Sequence, residues 1–420
     1  MTQALRHAAF AAHRHAEQAA RASYGRLLAW LAYRWRDLAA AEDALAEAFA
    51  SALESWPQTG VPESPDAWLM TAAKRNLLQM QRHARVAADP AVTILLGEAD
   101  AAAPGAPLIP DERLTLLFVC AHPAIDPAVR TALMLQTVLG LDAKRIASAF
   151  LVSPAAMAQR LVRAKTKIAQ AGIRFEEPEA HELAERIHAV LEAIYAAYGL
   201  GWEGLAGDAL GVAQASNLVE ESIHLADLTA SLLPGSAEAA GLLALLLLCE
   251  SRQAARYGQA GEFIPLHLQD CSLWDKALIQ RANHILWAAA AQRQPGPFQL
   301  EAAIQAAHCQ RVFTGSVPWQ GIAQLYHQLV QMSPTIGALV SRAVAICDAG
   351  SASDGLEALN GIDAAAVTAY QPYWVARAYL LAKQGQRVEA VASYQRALGL
   401  TTLPAVRAYL QARLESLSNE

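Results

Sequence analysis

Arg160, Arg163 and Lys167 lie in the stretch 153–171, SPAAMAQRLVRAKTKIAQA. At about 100° per residue of helix the three cations share roughly 60° of arc. Arginine forks can bond base edges in a DNA groove, and lysine can neutralise phosphate, so the chemistry offered is nucleic-acid recognition rather than bond making. Met157, Leu161, Ala164 and Ile168 recur at i, i+4, i+7 and i+11 and make a separate apolar stripe. Ser153 is in place as an N-cap, with Pro154 at the first helical position. Just before it, residues 141–150, LDAKRIASAF, read as a short helix, and Leu151-Val152-Ser153 as a tight corner. Two short helices, a brief turn and a basic second helix spell helix-turn-helix. On spacing alone an αα-hairpin with a solvated basic face fits equally well.

A second set of polar groups sits earlier. Ser64-Pro65-Asp66 opens a helix with Trp68, Leu69, Ala72 and Leu77 on its apolar side. Its later turns bear Lys74, Arg75, Asn76, Gln79, Gln81, Arg82 and Arg85, a mixture able to hold phosphates and read bases. A third set is acidic. In the helix expected from Asp37 to Trp56, Ala41, Leu45, Ala48, Phe49 and Ala52 face inward, and Asp43 and Glu47 pair outward at i, i+4. That pair is a solvated face or a carboxylate patch for a basic partner. With three prolines and a glycine, residues 57–65 are expected to be irregular.

The elements that must carry these groups follow from composition. The chain has 420 residues, 54% hydrophobic and 17% charged, rich in Ala and Leu, which predicts several domains, all of them α-helical. Its net charge of −6 is unevenly spread: residues 1–175 hold 19 Lys and Arg against 15 Asp and Glu, whereas residues 176–420 hold 14 against 24. Only the front half has the charge to meet nucleic acid. Five scattered cysteines without CxxC spacing argue against a disulfide framework or a zinc site and for a reduced, cytoplasmic setting. The basic N-terminus runs into an amphipathic helix and is read as part of the first domain. The most apolar run, residues 241–249, is far too short to span a membrane.

Other chemistry is missing. Gly199-Leu200-Gly201-Trp202-Glu203-Gly204 spells GxGxxG, but a helix precedes it where a dinucleotide site needs a strand. Cys120-Ala121-His122 has no further ligands to complete a metal site and reads as a helix end before Pro123. None of the twelve histidines lies in a nucleophile or HExxH context. No catalytic residue, cofactor or metal is expected, and the chain is not read as an enzyme.

Residues 24–36, Ala41-Glu42-Asp43-Ala44-Leu45-Ala46-Glu47-Ala48-Phe49, Trp56-Pro57, Ala67-Trp68-Leu69 and Ala73-Lys74-Arg75-Asn76 resemble region two of extracytoplasmic-function sigma factors, the specificity subunits of bacterial RNA polymerase. Residues 111–123 and 150–165 are similar to region four of a subgroup with a long tetratricopeptide-like C-terminal extension. The resemblance covers nearly the whole chain, with departures at Gln79-Met80, Cys120-Ala121 and Gly199-Leu200. It implies that Asp43 and Glu47 contact core polymerase. It also implies that Lys74, Arg75, Asn76, Gln79 and Arg82, with the loop at 57–64, hold the opened −10 DNA. Ser153, Ala156, Gln159, Arg160, Arg163 and Lys167 are then the −35 contacts.

Within the extension, Ala378, Leu381, Gly385, Ala390, Tyr394, Ala397 and Pro404 approximate the small/large pattern of a tetratricopeptide repeat. The expected order is therefore 1–86 region two, 87–110 linker, 111–175 region four, 176–310 helical extension and 311–420 tetratricopeptide-like repeats. The expected partners are bacterial core RNA polymerase, promoter DNA and an intramolecular or protein partner for the extension, with no membrane. Two rival readings stay open: a helix-turn-helix regulator acting without polymerase, and an interaction scaffold.

Overall fold

A computed structural model describes residues 23–35, 37–87, 109, 111–150, 152–170, 178–204, 209–259 and 261–419. The protein is all-α: among the described residues there is no strand, only an isolated antiparallel bridge between Tyr257 and Phe263. No described helix is long and apolar enough to cross a membrane. The chain divides into two compact units, residues 1–232 and 233–420.

The first unit opens with α1 (residues 23–35), α2 (Leu38–Thr59) and α3 (Pro65–Ala87). Asp37 caps α2 by accepting from the Ala40 amide at 3.0 Å. Leu28 and Leu31 from α1, Ala41, Leu45, Ala48 and Trp56 from α2, and Leu69, Ala73 and Leu77 from α3 are buried. The expectation of irregular chain from Pro57 onward is corrected, because α2 runs through Pro57 to Thr59. A proline so close to a helix end forfeits only one late hydrogen bond. The Gly60 amide still reaches the Trp56 carbonyl at 3.0 Å, and Gly60 then leaves the helix at φ 86°. The loop expected at 57–64 is thereby reduced to residues 60–64.

The same unit continues with α4 (Glu112–Cys120), α5 (Pro127–Thr137), α6 (Ala143–Ala149) and α7 (Pro154–Gln170). Asp111, Asp126 and Asp142 cap the first three through their carboxylates, and the Ser153 hydroxyl accepts from Ala156 N at 3.2 Å to start α7. Leu114, Leu117 and Phe118 of α4 and Leu133 and Met134 of α5 are buried, as is the apolar stripe of α7, which packs on α5 and α6.

Two more helices, α8 (Ala180–Gly204) and α9 (Ala209–Leu232), belong to this unit, so the boundary expected at 175/176 lies inside a compact body. Both pack on α4, and α8 also meets α5 and α6. The Arg186 guanidinium, 5% exposed, donates to the Phe118 carbonyl at 3.3 Å and to Glu182 at 2.5 Å. Arg113 bridges Asp111 at 2.9 Å and Glu221 of α9. The GxGxxG string proves to be helix: a Cβ on Gly201 would stand 2.9 Å from Val219 Cγ2, and one on Gly204 3.0 Å from Ala215 Cβ. Those two glycines let α8 and α9 approach closely.

The second unit begins with α10 (Ala237–Glu250), the apolar run, buried from Leu242 to Leu248. Glu238 caps the helix Pro297–Cys309, accepting from the Phe298 and Gln299 amides at 3.0 and 3.1 Å. Beyond it come Trp319–Met332, Ile336–Asp348, Ala352–Asn360, Gln371–Lys383, Arg387–Leu400 and Pro404–Asn419. They form three successive small cores. In the last, Ala378, Leu381, Ala390, Tyr394 and Ala397 pack together, and Gly385 makes the intervening turn at φ 74°.

Candidate nucleic-acid interface

Helix α7 presents its two faces as its residue spacing dictates. Met157, Leu161, Ala164 and Ile168 are all buried. Gln159, Arg160, Arg163 and Lys167 are exposed, Ser153 is exposed at the N-cap, and Ala156 is half-buried. Among the described residues no carboxylate pairs with Arg160, Arg163 or Lys167. On the preceding helix Lys144 and Arg145 are also exposed. They border an open groove of about 700 Å³ whose far wall is the α8 terminus at Leu200, Glu203 and Gly204.

The residues expected to hold −10 DNA do not all point the same way. Arg75, Gln79 and Arg82 are exposed and lie within about 60° of one another around α3. Lys74 instead lays its ammonium 4.2 Å from the centre of the Trp30 ring. Asn76 is half-buried, and its Nδ2 donates to the Ala44 carbonyl of α2 at 3.1 Å. Both side chains are spent on holding α3 against α1 and α2. The start of α3 is held as well: Asp66 accepts from Ser23 Oγ at 2.8 Å and from Arg26 at 2.5 Å. Trp56 and Trp68 meet edge to face at 5.5 Å beside the loop at 60–64. Gln81 and Arg85 lie outside the side chains described.

Asp43 and Glu47 are both exposed, one turn apart on α2. Glu42, beside them, is not free: its carboxylate takes the Lys165 ammonium at 2.7 Å. Sequence spacing gave no sign of this pair, whose members stand 123 residues apart. Burial, with Glu42 and Asp43 nearby, raises the Tyr24 hydroxyl pKa. Cys120 is fully buried, and burial pushes its thiol up to about 12. Burial, and then the Arg186 charge, lower the pKa of His122 just beyond α4. Among the described residues no group of three or more His, Cys, Asp or Glu side chains is placed to hold a metal.

A three-helix body with an exposed acidic pair is followed by a helix pair whose second member carries exposed cations. Residues 21–86 match sigma-70 region 2, the domain of sigma factors that binds core RNA polymerase and promoter DNA in transcription initiation. Residues 186–290 match a family of unknown function, DUF6596. The chain belongs to one family with the "Uncharacterized protein R00370" of Rhizobium meliloti (strain 1021), to which it is 36% identical over 392 residues, 92% of each chain.

Proposed function

We propose that this protein is a sigma factor of the extracytoplasmic-function type, in which residues 111–175 serve as region four and the tail regulates the front. Region two binds core polymerase through Asp43 and Glu47. Arg75, Gln79 and Arg82 line the path of the opened −10 strand, where unstacked bases suit a polar helix face beside aromatic rings. The pair α6–α7 acts as a helix-turn-helix, with Gln159, Arg160 and Arg163 reading the −35 major groove and Lys167 meeting phosphate. The helices from Trp319 onward act as a tetratricopeptide-like platform for a regulatory partner, and the tail is required for full activity. The protein works in the cytoplasm, where its polymerase is.

The observation that carries this reading is the bare face of α7, with Arg160, Arg163 and Lys167 exposed opposite a fully buried stripe, in a chain that also holds a region-two domain. The test is promoter-directed transcription by purified core polymerase. Transcripts from a defined start site that depend on this protein support the proposal. DNA binding without association with core would favour a free-standing regulator, and neither activity would favour a scaffold.

A further inference from the structure

The outer face of α7 is not wholly polar. Val162 is 64% exposed, the most open of the large apolar side chains described in the first unit. At about 100° per residue, the line opposite the buried stripe of Met157, Leu161, Ala164 and Ile168 runs through Gln159 and Thr166. Val162 and Arg163 stand on either side of that line, each about 50° from it. Arg160 and Lys167 lie further round, where longer side chains are needed to reach the same ground. Thr166 is exposed one turn beyond Val162, and its hydroxyl donates to the Val162 carbonyl at 3.0 Å. That donor is spent inside the helix, so Val162 and Thr166 together offer methyl groups to the outside. A β-branched residue in an exposed helix interior forfeits freedom that Ala, Lys or Gln would keep, and Val162 gains nothing here from the helix itself.

We propose, on the sigma-factor reading above, that Val162 reads the C5-methyl group of a thymine in the −35 element, beside the bases met by Gln159 and Arg163. In the major groove thymine alone of the four bases presents a methyl group, and apolar side chains are what recognise it. Arg163, Arg160 and Lys167, exposed around the strip, give it the charge that suits a polyanion, so the occupant is DNA rather than an apolar protein surface. A valine side chain is short, and its helix must lie deep to bring it to a base. The groove is ~12 Å wide and a helix with its side chains ~10–12 Å across, a close fit. Ala155, exposed, and Ala156, half-buried, keep the leading turn of α7 slim enough to enter. Arginine and valine on neighbouring positions then divide the work: the guanidinium bonds what carries an acceptor, and the isopropyl group covers what carries a methyl.

The test uses the full chain with core polymerase and a duplex that this complex selects from a pool randomised across the −35 region. Each thymine of the selected element is replaced in turn by deoxyuridine, which removes the methyl group and keeps the base's donors and acceptors. At one position at least, the replacement should weaken binding about fourfold, the worth of one buried methyl group. Val162→Ala should bring that ratio near one and leave unfolding unchanged. Arg163→Ala should weaken both duplexes and keep the ratio. A selected element without thymine, equal binding of every duplex by the wild type, or a ratio that survives in Val162→Ala overturns the methyl reading and leaves the sigma-factor reading standing. A pool from which no common −35 sequence emerges overturns α7 as a promoter-reading helix, and the role of Val162 with it.

Discussion

The Arg186 guanidinium of α8 donates to the Phe118 carbonyl, 68 residues earlier, at the C-terminal turn of α4. A cation there satisfies a carbonyl that the helix end leaves open and opposes the negative end of the helix dipole. Two helices of the extension are thus structural parts of the body that carries α7. A chain ending at residue 175 should lose cooperative unfolding of this body, whereas one ending at residue 232 should keep it. Circular dichroism melts of the two truncations check this, and Arg186→Met in the full chain should cost about 1–3 kcal/mol.

On α7 the two faces should separate binding from stability. Arg160→Ala and Arg163→Ala should each weaken binding to the cognate −35 element by about 1–3 kcal/mol and leave unfolding unchanged. Lys167→Ala should weaken all sequences alike and reduce the salt slope by about one. Leu161→Ala, a truncation in the core, should destabilise by about 2–5 kcal/mol. Equilibrium binding at matched salt, beside urea unfolding, reads both.

Reversal of Asp43 and Glu47 to Lys should abolish co-purification with core polymerase. Because both side chains are exposed on α2, the melting temperature should stay within a few degrees of wild type. Wild-type recovery of core by the double variant would show that the acidic pair is only a solvated face.

Within α3 the same assays should sort the polar residues into two kinds. Asn76→Ala should destabilise the first three helices by about 0.5–1.5 kcal/mol, since it removes the bond to Ala44. Lys74→Ala should cost about 0.5–1 kcal/mol through loss of the Trp30 contact. Arg75→Ala, Gln79→Ala and Arg82→Ala should leave stability alone and weaken binding to a single-stranded −10 sequence.

The second unit should weaken in mild acid. Burial, with Arg252 and Arg311 nearby, pulls His308 down to about 4. The unfolded chain takes up its proton near the ordinary value of about 6.5, and the folded one resists until about 4. Stability is therefore present above about 6.5 and is lost as pH falls towards 4, on the order of 3 kcal/mol when complete. His267, also lowered by burial, acts in the same direction. Urea titrations at pH 7 and pH 5 should show the loss, and His308→Phe, which keeps a ring against Trp319, should shrink it.

Local patterns were legible in the sequence; remote partners were not. The α7 stripe, the Ser153 cap and the start of α3 at Pro65 follow from side-chain spacing and capping chemistry, which act within a turn or two. Residue type alone could not tell Asn76 and Lys74, spent on packing, from Gln79 and Arg75, left in solvent. Their partners, Ala44 and Trp30, come from other helices. The docking of α8 on α4 was hidden for the same reason: periodicity shows that a face is apolar but not what covers it. Pro57 misled because its effect depends on how near the helix end lies.

Helix Ile336–Asp348 contributes Ala338 and Ala345 to one small core and Val340, Ala343 and Cys347, from its opposite side, to the next. A helix shared in this way is a party wall. Each of the two chambers is closed in part by the same helix. Evolution can therefore lengthen or shorten the tail by whole helix pairs without redesigning the rooms already built, which makes its reach, rather than its interior, the quantity most open to change.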